Sequence, residues 1–136
     1  MNNQELDRLI RQIDGIEGEI EGQPGFWRFV FQGYQIYIIT DERADRMRIM
    51  APVAAAAEME KEALYRVLQA NFDTALDSRY AIAQDALWSA FIHPLAALDA
   101  AAFYAGFAQT VTLAATYGTT YSSSGLQFGG GDKPAP

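Results

Sequence analysis

The stretch FWRFVFQGYQIYIITDERADRMRIMAPV, residues 26–53, decides the fold class of this chain. It is rich in β-branched and aromatic residues, and turn-forming breaks at Gln32-Gly33 and at residues 42–45 divide it. A meander of antiparallel strands needs cover on at least one face, and the flanking segments have the periodicity of amphipathic helices. The composition predicts three consecutive strands, over residues 26–32, 34–40 and 46–53.

Three helices are predicted around this meander. Apolar residues recur at helical spacing through residues 3–20, and Asn2 with Glu5 resembles a capping box at the start. The other two helices are expected over residues 58–72 and 99–118, and the last carries apolar residues on most sides, so we expect it to be deeply buried. The expected apolar stripe of the second helix consists of Leu64, Val67, Leu68 and Phe72.

A second hairpin and a tail complete the chain. Residues 79–83 and 86–93 predict two strands that turn at Gln84-Asp85. Residues 119–136 are mostly small and polar, rich in serine, glycine and proline, which predicts a disordered tail after a single domain of residues 1–118. The predicted fold is therefore α+β, a five-stranded, mainly antiparallel sheet with three helices in the order α-βββ-α-ββ-α.

Strand register assigns a chemistry to each face of the meander, because a slip of one residue exchanges the two faces. A two-residue turn at Gln32-Gly33 and a hairpin tip at Arg43-Ala44 give mutually consistent pairings. One face then holds the expected core residues Trp27, Phe29, Phe31, Tyr34, Ile36, Ile38, Met47, Ile49 and Ala51. The other face, here called the mixed face, holds Phe26, Arg28, Val30, Gln35, Tyr37, Ile39, Arg46, Arg48 and Met50.

The mixed face combines aliphatic, aromatic and arginine side chains, unlike an ordinary solvated sheet face. Arginine, tyrosine and methionine are enriched at protein interfaces, which favours a docking or dimerisation surface. An amphipathic outer face with a few incidental apolar residues is the alternative, since single exposed apolar residues are normal. Trp88 in the second hairpin is a further candidate, because alanines share its face and leave room for a partner. The candidate interaction residues are Phe26, Arg28, Val30, Tyr37, Ile39, Arg46, Arg48, Met50 and Trp88.

Composition excludes several function classes. The 136 residues include no cysteine and carry a formal charge of −7, so disulfides and thiolate metal sites are excluded. Nucleic acid is not an expected partner, because its binding depends on neutralising phosphates with basic residues. The amino terminus lacks the features of a signal peptide and no apolar run is long enough to cross a bilayer, so we expect a soluble, cytoplasmic protein.

The sequence contains no catalytic or cofactor-binding motif. His93 is the only histidine and precedes Pro94, no serine lies in a G-x-S-x-G turn, and the glycines at 129–131 lack the context of a phosphate loop. We therefore expect no enzyme activity, no metal and no cofactor. Three function classes stay open: a protein-binding module, a structural or regulatory dimer without a client, and, least favoured, a small enzyme or small-molecule binder with an aromatic pocket.

The order of elements resembles the type III secretion chaperone-like fold, which includes the Tir-type secretion chaperones and the YbjN-type bacterial proteins. Leu68 with Asn71 before a hairpin, and the step from Pro94 to Asp99 into the last helix, are typical of that family. The resemblance implies a non-enzymatic, commonly dimeric protein that binds other proteins, in a chaperone role or in a YbjN-like regulatory or stress-related one. The segments that carry it are LDRLIRQI, the meander, LYRVLQANFDTALDSRYAIAQDALW and PLAALDAAAFYAGFAQTVTLAATYG.

Two partners are expected on these grounds. The protein should self-associate, most simply as a symmetric dimer, and should present the rest of the mixed face to another protein or peptide. Arg28, Arg46 and Arg48 would orient carboxylates or carbonyl groups of the partner. The third helix is the alternative dimer contact, which would leave the sheet free for a peptide.

Overall fold

A computed structural model describes residues 1–124 of the chain. Its six strands form one sheet in the order β1-β2-β3-β4-β6-β5, and every neighbouring pair is antiparallel. The predicted α+β class with three α-helices is confirmed for these residues. The elements are α1 (Asn3–Arg11), β1 (Ile16–Gln23), β2 (Phe26–Phe31), β3 (Tyr34–Asp41), β4 (Arg46–Ala55), a short 3-10 helix (Ala56–Glu58), α2 (Lys61–Asp73), β5 (Arg79–Ala83), β6 (Ala86–His93) and α3 (Ala100–Ala115).

The sixth strand, β1, occupies residues that were predicted to be the end of the first helix. That helix was expected over residues 3–20, but α1 ends at Arg11 and β1 follows it. Gly15 and Gly18 have φ angles of 98° and 77°, a left-handed backbone that does not continue a helix. From residue 16 the sequence IEGEIEGQ alternates with a period of two, and this segment pairs with β2. The five-stranded prediction was therefore one strand short.

The predicted register of the meander is confirmed. The turn at Gln32-Gly33 has positive φ at both residues, 51° and 82°, as a type I′ hairpin requires. The turn at Gln84-Asp85 has the same character, with φ angles of 51° and 64°. The strand pairs that form as predicted include Phe31–Tyr34, Phe29–Ile36, Trp27–Ile38 and Ile38–Ile49.

The main core lies between the sheet, α1 and α3. Leu6 and Ile10 of α1 are completely buried, and the capping box of Asn2 and Glu5 forms as predicted. In α3, the Phe107 ring lies with its centroid 5.0 Å from that of Phe31. The predicted core face is buried at Trp27, Phe29, Ile36, Ile38, Met47, Ile49 and Ala51, and its members Phe31 and Tyr34 are partly buried.

Helix α2 packs on the sheet through a side that contains only part of its predicted stripe. It begins at Lys61 rather than at residue 58, and its buried residues are Val67 and Ala70. Leu68 is 68% exposed and Phe72 is 93% exposed, so the predicted stripe was wrong for these two residues. At 3.6 residues per turn, a helix that turns Val67 towards the sheet turns Phe72 towards solvent.

Residues 119–124, which the sequence analysis assigned to the tail, contact the domain. The Ser123 amide donates to the Thr74 carbonyl oxygen at 3.1 Å, and the Ser122 amide donates to Thr116 Oγ1 at 2.9 Å. Packing contacts therefore continue beyond residue 118, at least as far as Ser123. The rest of the predicted tail, residues 125–136, lies outside the described residues.

Candidate protein-binding surface

The three α-helices lie against one face of the sheet and leave the mixed face bare. In α1, Asp7 Oδ1 accepts a hydrogen bond from Trp27 Nε1 at 2.9 Å. In α3, the Thr110 carbonyl oxygen accepts one from Ser89 Oγ at 2.8 Å. Helix α2 packs through Val67 onto the inner sides of β5 and β6. Within residues 1–124, no helix lies on the opposite side of the sheet.

The register arranges the side chains of the mixed face in rows that cross the strands. The nine candidate residues all lie on this face, where Arg46 stands opposite Asp41 on β3. The first row consists of Gln23, Phe26, Ile39, Arg48 and Ile92. The second row consists of Glu21, Arg28, Tyr37, Met50, Ala90 and Arg79. The next positions of the mixed face form two groups. Glu17, Val30 and Gln35 lie on β1, β2 and β3, and Pro52, Trp88 and Ala81 lie on β4, β6 and β5.

An aromatic line runs diagonally across these rows. The ring centroids of Phe26 and Tyr37 are 6.4 Å apart, and those of Tyr37 and Trp88 are 5.7 Å apart in an edge-to-face arrangement. The Trp88 indole is fixed by a hydrogen bond of 2.9 Å from Nε1 to the Ala83 carbonyl oxygen. Phe26 is 45% exposed, so the line ends in an accessible ring. We call Phe26, Tyr37 and Trp88 the aromatic line.

The arginines of the mixed face differ in what they contact. Arg28 donates to Glu21, and this hydrogen bond raises the pKa of the Arg28 guanidinium. Arg46 donates to the Asp45 carbonyl oxygen at 2.8 Å, and Arg79 to the Ser78 carbonyl oxygen at 2.7 Å.

Two parts of this surface were missed by the sequence analysis. Both hairpins were predicted to lie in one sheet, but the pairing of β4 with β6 that joins them was not predicted. That pairing adds Ile92, which is 52% exposed, and Arg79 to the mixed face. The alternation in ALWSAFIH already places Trp88, Ala90 and Ile92 on one side of a strand.

A second exposed apolar surface lies on α2. Tyr65, Leu68 and Phe72 occupy one side of the helix, and each is at least two-thirds exposed. We call these three residues the α2 stripe. Leu76 follows the helix and is also exposed. This surface was not predicted, because the helical repeat of apolar residues indicated that Leu68 and Phe72 belong to the core.

An open cleft at the start of α2 has a cation–π contact in its wall. The Arg66 guanidinium carbon lies 4.9 Å from the centre of the Tyr121 ring, a cation–π geometry that ties residues 119–124 to α2. Burial raises the pKa of Tyr117 beside it. The lining residues are Glu58, Met59, Glu60, Glu62, Ala63, Arg66, Tyr117 and Tyr121.

The His93 ring contacts Phe91 of its own strand and the proline that follows it. Its Nδ1 lies 2.8 Å from the Pro94 carbonyl oxygen, and its ring stacks on Phe91 with centroids 5.8 Å apart. In the part of the chain that the structure describes, no group of three histidine, aspartate or glutamate side chains is placed to hold a metal ion. Likewise, none of the helices described is both long and apolar enough to traverse a bilayer.

Comparison with known proteins finds the same architecture in solved structures. No protein-family model and no curated protein matches the chain. A chain of the HopA1–SchA chaperone–effector complex superposes with a TM-score of 0.62 at 9% identity, covering 82% of this chain and 88% of that one. This protein has the type III secretion chaperone-like fold. A chain of the ExsC–ExsE complex shares the fold with a TM-score of 0.60 at 12% identity, covering 84% of this chain and 92% of that one. These identities establish a common fold, and the chaperone-like resemblance of the element order is thereby confirmed.

Proposed function

We propose that this protein is a non-catalytic, homodimeric protein-binding module that holds a segment of another polypeptide on its mixed face, as a chaperone does. The observation that carries the proposal is the aromatic line on a sheet face that no helix covers within residues 1–124. Contiguous exposed apolar surface rimmed by polar groups marks interaction sites. The HopA1–SchA structure, a chaperone–effector complex with the same fold, supports this assignment.

The shape of the mixed face suits a polypeptide segment better than a small molecule. The aromatic line and its aliphatic neighbours Ile39 and Met50 spread over a strand surface rather than closing around a cavity. Aromatic residues at the centre of an interface supply most of its binding energy, while polar neighbours exclude water and set the orientation. Arg28 and Gln35 are such neighbours here.

The α2 stripe is the surface that we assign to the dimer. The helix has 13 residues and is about 20 Å long. When two copies pack antiparallel about a two-fold axis near Leu68, Tyr65 of one copy meets Phe72 of the other. An isologous interface requires this self-complementarity of shape.

The structure favours α2 over α3 as the dimer contact. The apolar residues of α3 are largely used in the core, where Phe103, Phe107 and Val111 are buried. Of its aromatic residues only Tyr104 is exposed, and its hydroxyl already donates to the Leu9 carbonyl oxygen at 3.3 Å. The alternative contact through the third helix therefore has little free apolar surface.

The test is a selection of random dodecapeptides displayed on phage against the immobilised protein. We expect the wild type to enrich apolar peptides, and we expect these to lose binding to a Tyr37→Glu, Ile39→Glu double variant. A matched control, Ala105→Glu with Ala108→Glu, adds the same charges to exposed positions of α3 and should keep the binding.

Circular dichroism and thermal melting establish that the variants fold. Phe26→Glu is a second mixed-face variant for the peptide-binding test. It should fold, because Phe26 is already partly exposed on the folded protein. If no peptide is enriched, or if the enriched peptides bind folded mixed-face variants as well as the wild type, the proposal fails. If the protein forms a dimer but binds no peptide, the alternative function holds, that of a structural or regulatory dimer without a client.

A further inference from the structure

We infer that the segment bound by the mixed face carries an acidic residue between apolar ones, and that Arg48 selects it. This inference rests on the proposed function, because it specifies the partner of the same surface. It starts from the position of Arg48 in the first row, where Ile39 on β3 and Ile92 on β6 stand directly beside it. Both isoleucines keep part of their side chains open to solvent.

Arg48 differs from the other arginines of the mixed face in having no partner. Arg28 is paired with Glu21, while Arg46 and Arg79 donate to backbone carbonyl groups near their own positions. Among residues 1–124, Arg48 forms no hydrogen bond and no ion pair. A donor group in the middle of the surface is therefore free to bind something from outside the chain.

No neighbouring side chain among residues 1–124 forms a hydrogen bond or ion pair with the Arg48 guanidinium. The first row contains no carboxylate, and the nearest one in the register, Asp41, stands opposite Arg46. Asp41 stands at a diagonal position, about 7–8 Å from Arg48 along the sheet, and its Oδ1 accepts a hydrogen bond from the Ala44 amide at 3.0 Å instead. Arg48 is therefore an exposed cation between two apolar side chains, with no ion-pair partner among residues 1–124.

The chemistry of the group that fits follows from this arrangement. A guanidinium presents parallel N–H donors that match both oxygens of a carboxylate, and this pairing is stronger where apolar side chains exclude water. Apolar residues flanking the acidic one would cover Ile39 and Ile92 and so exclude water from the pair. A lysine at the same position of the segment would meet a like charge, which disfavours binding.

The experiment uses the same displayed peptide library with three forms of the full chain: the wild type, Arg48→Glu and the control Arg8→Glu. Arg8 is an exposed arginine of α1, on the other side of the molecule. We expect wild type and control to enrich aspartate or glutamate flanked by apolar residues, and Arg48→Glu to enrich lysine or arginine there instead. A synthetic acidic peptide from the wild-type selection should bind Arg48→Glu more weakly by on the order of tenfold or more.

The outcomes separate this inference from the proposed function. Loss of enriched peptides on the Tyr37→Glu, Ile39→Glu variant, together with a charge preference that inverts in Arg48→Glu, supports both. If enrichment depends on Tyr37 and Ile39 but the peptides show no acidic preference, or keep it with Arg48→Glu, the role of Arg48 is overturned and the proposed function stands. If peptides are not enriched through the mixed face at all, both are overturned.

Discussion

At the scale of single residues, Trp27 and Asp7 show how one hydrogen bond joins two elements. Trp27 is completely buried on β2, and its indole N–H donates to Asp7 of α1. The same carboxylate accepts from Arg11 Nε at 3.0 Å. The hydrogen bond from Trp27, and then that from Arg11, hold the pKa of Asp7 below its ordinary value.

The lowered pKa of Asp7 predicts how stability depends on pH. Because the carboxylate is favoured in the folded state, its contribution is present above the unfolded-state pKa of about 3.9 and is lost as the pH falls through the folded-state pKa. We expect Asp7→Asn to lower the free energy of unfolding by about 1 kcal/mol at pH 7, and by less below about pH 4.

Urea denaturation at several pH values measures this difference. Asp14→Asn, which changes an exposed carboxylate on the loop after α1, is the control and should follow the wild type. A gap between Asp7→Asn and wild type that stays constant down to about pH 2 would contradict the assignment.

Ile38 provides the matching test of the core face. It is completely buried and stands between Trp27 and Ile49 in the sheet. We expect Ile38→Ala to cost about 2–5 kcal/mol of unfolding free energy in chemical denaturation, because it leaves a cavity. Ile92→Ala, which truncates the same side chain on the mixed face, should cost less than about 1 kcal/mol. Equal costs would contradict this assignment of the two faces, and a larger cost for Ile92→Ala would reverse it.

At the scale of elements, the sequence predicts the meander well and its surroundings less well. Strand alternation and two turns were enough to place the core face and the mixed face, because register follows from them. The strand β1 was missed because Ile13, Ile16 and Ile20 fit a helical repeat, although Gly15 and Gly18 argued against it. Its period-two alternation was the signal available.

Two features could not be found from the sequence because they depend on distant contacts. Helix α2 has apolar residues on two sides, and only its packing against Tyr80 and Leu87 decides that Val67 is buried and Phe72 is not. The pairing of β4 with β6 joins segments that helix α2 separates in the chain. The extent of the mixed face, including Ile92, depends on that pairing.

The exposed α2 stripe predicts a dimer that single substitutions dissociate. We expect sedimentation equilibrium at micromolar concentration to show a wild-type dimer, and Phe72→Asp or Leu68→Glu to give a monomer with unchanged circular dichroism. Neither side chain contributes to the core, so folding should persist. Ala105→Glu on α3 is the control and should remain dimeric. A wild-type monomer, or a dimer that survives both α2 substitutions, would contradict the assignment of this surface.

At the scale of the whole molecule, the sheet separates two exposed apolar surfaces, the aromatic line and the α2 stripe. The helices cover one face, so the α2 stripe lies on that side and the aromatic line lies on the other. A dimer formed through α2 therefore leaves both mixed faces open, and each copy can hold one segment. The arrangement matches the proposed function, in which self-association and partner binding do not compete.

The most direct test of the central claim is ¹⁹F NMR of the protein labelled with 5-fluorotryptophan. The chain has two tryptophans, Trp27 in the core and Trp88 in the aromatic line, and Trp88→Phe assigns the two signals. When a peptide selected by the wild type is added to saturation, we predict that the Trp88 resonance shifts while the Trp27 resonance stays in place. Saturated binding that leaves the Trp88 resonance unchanged would contradict the claim that the mixed face holds the partner.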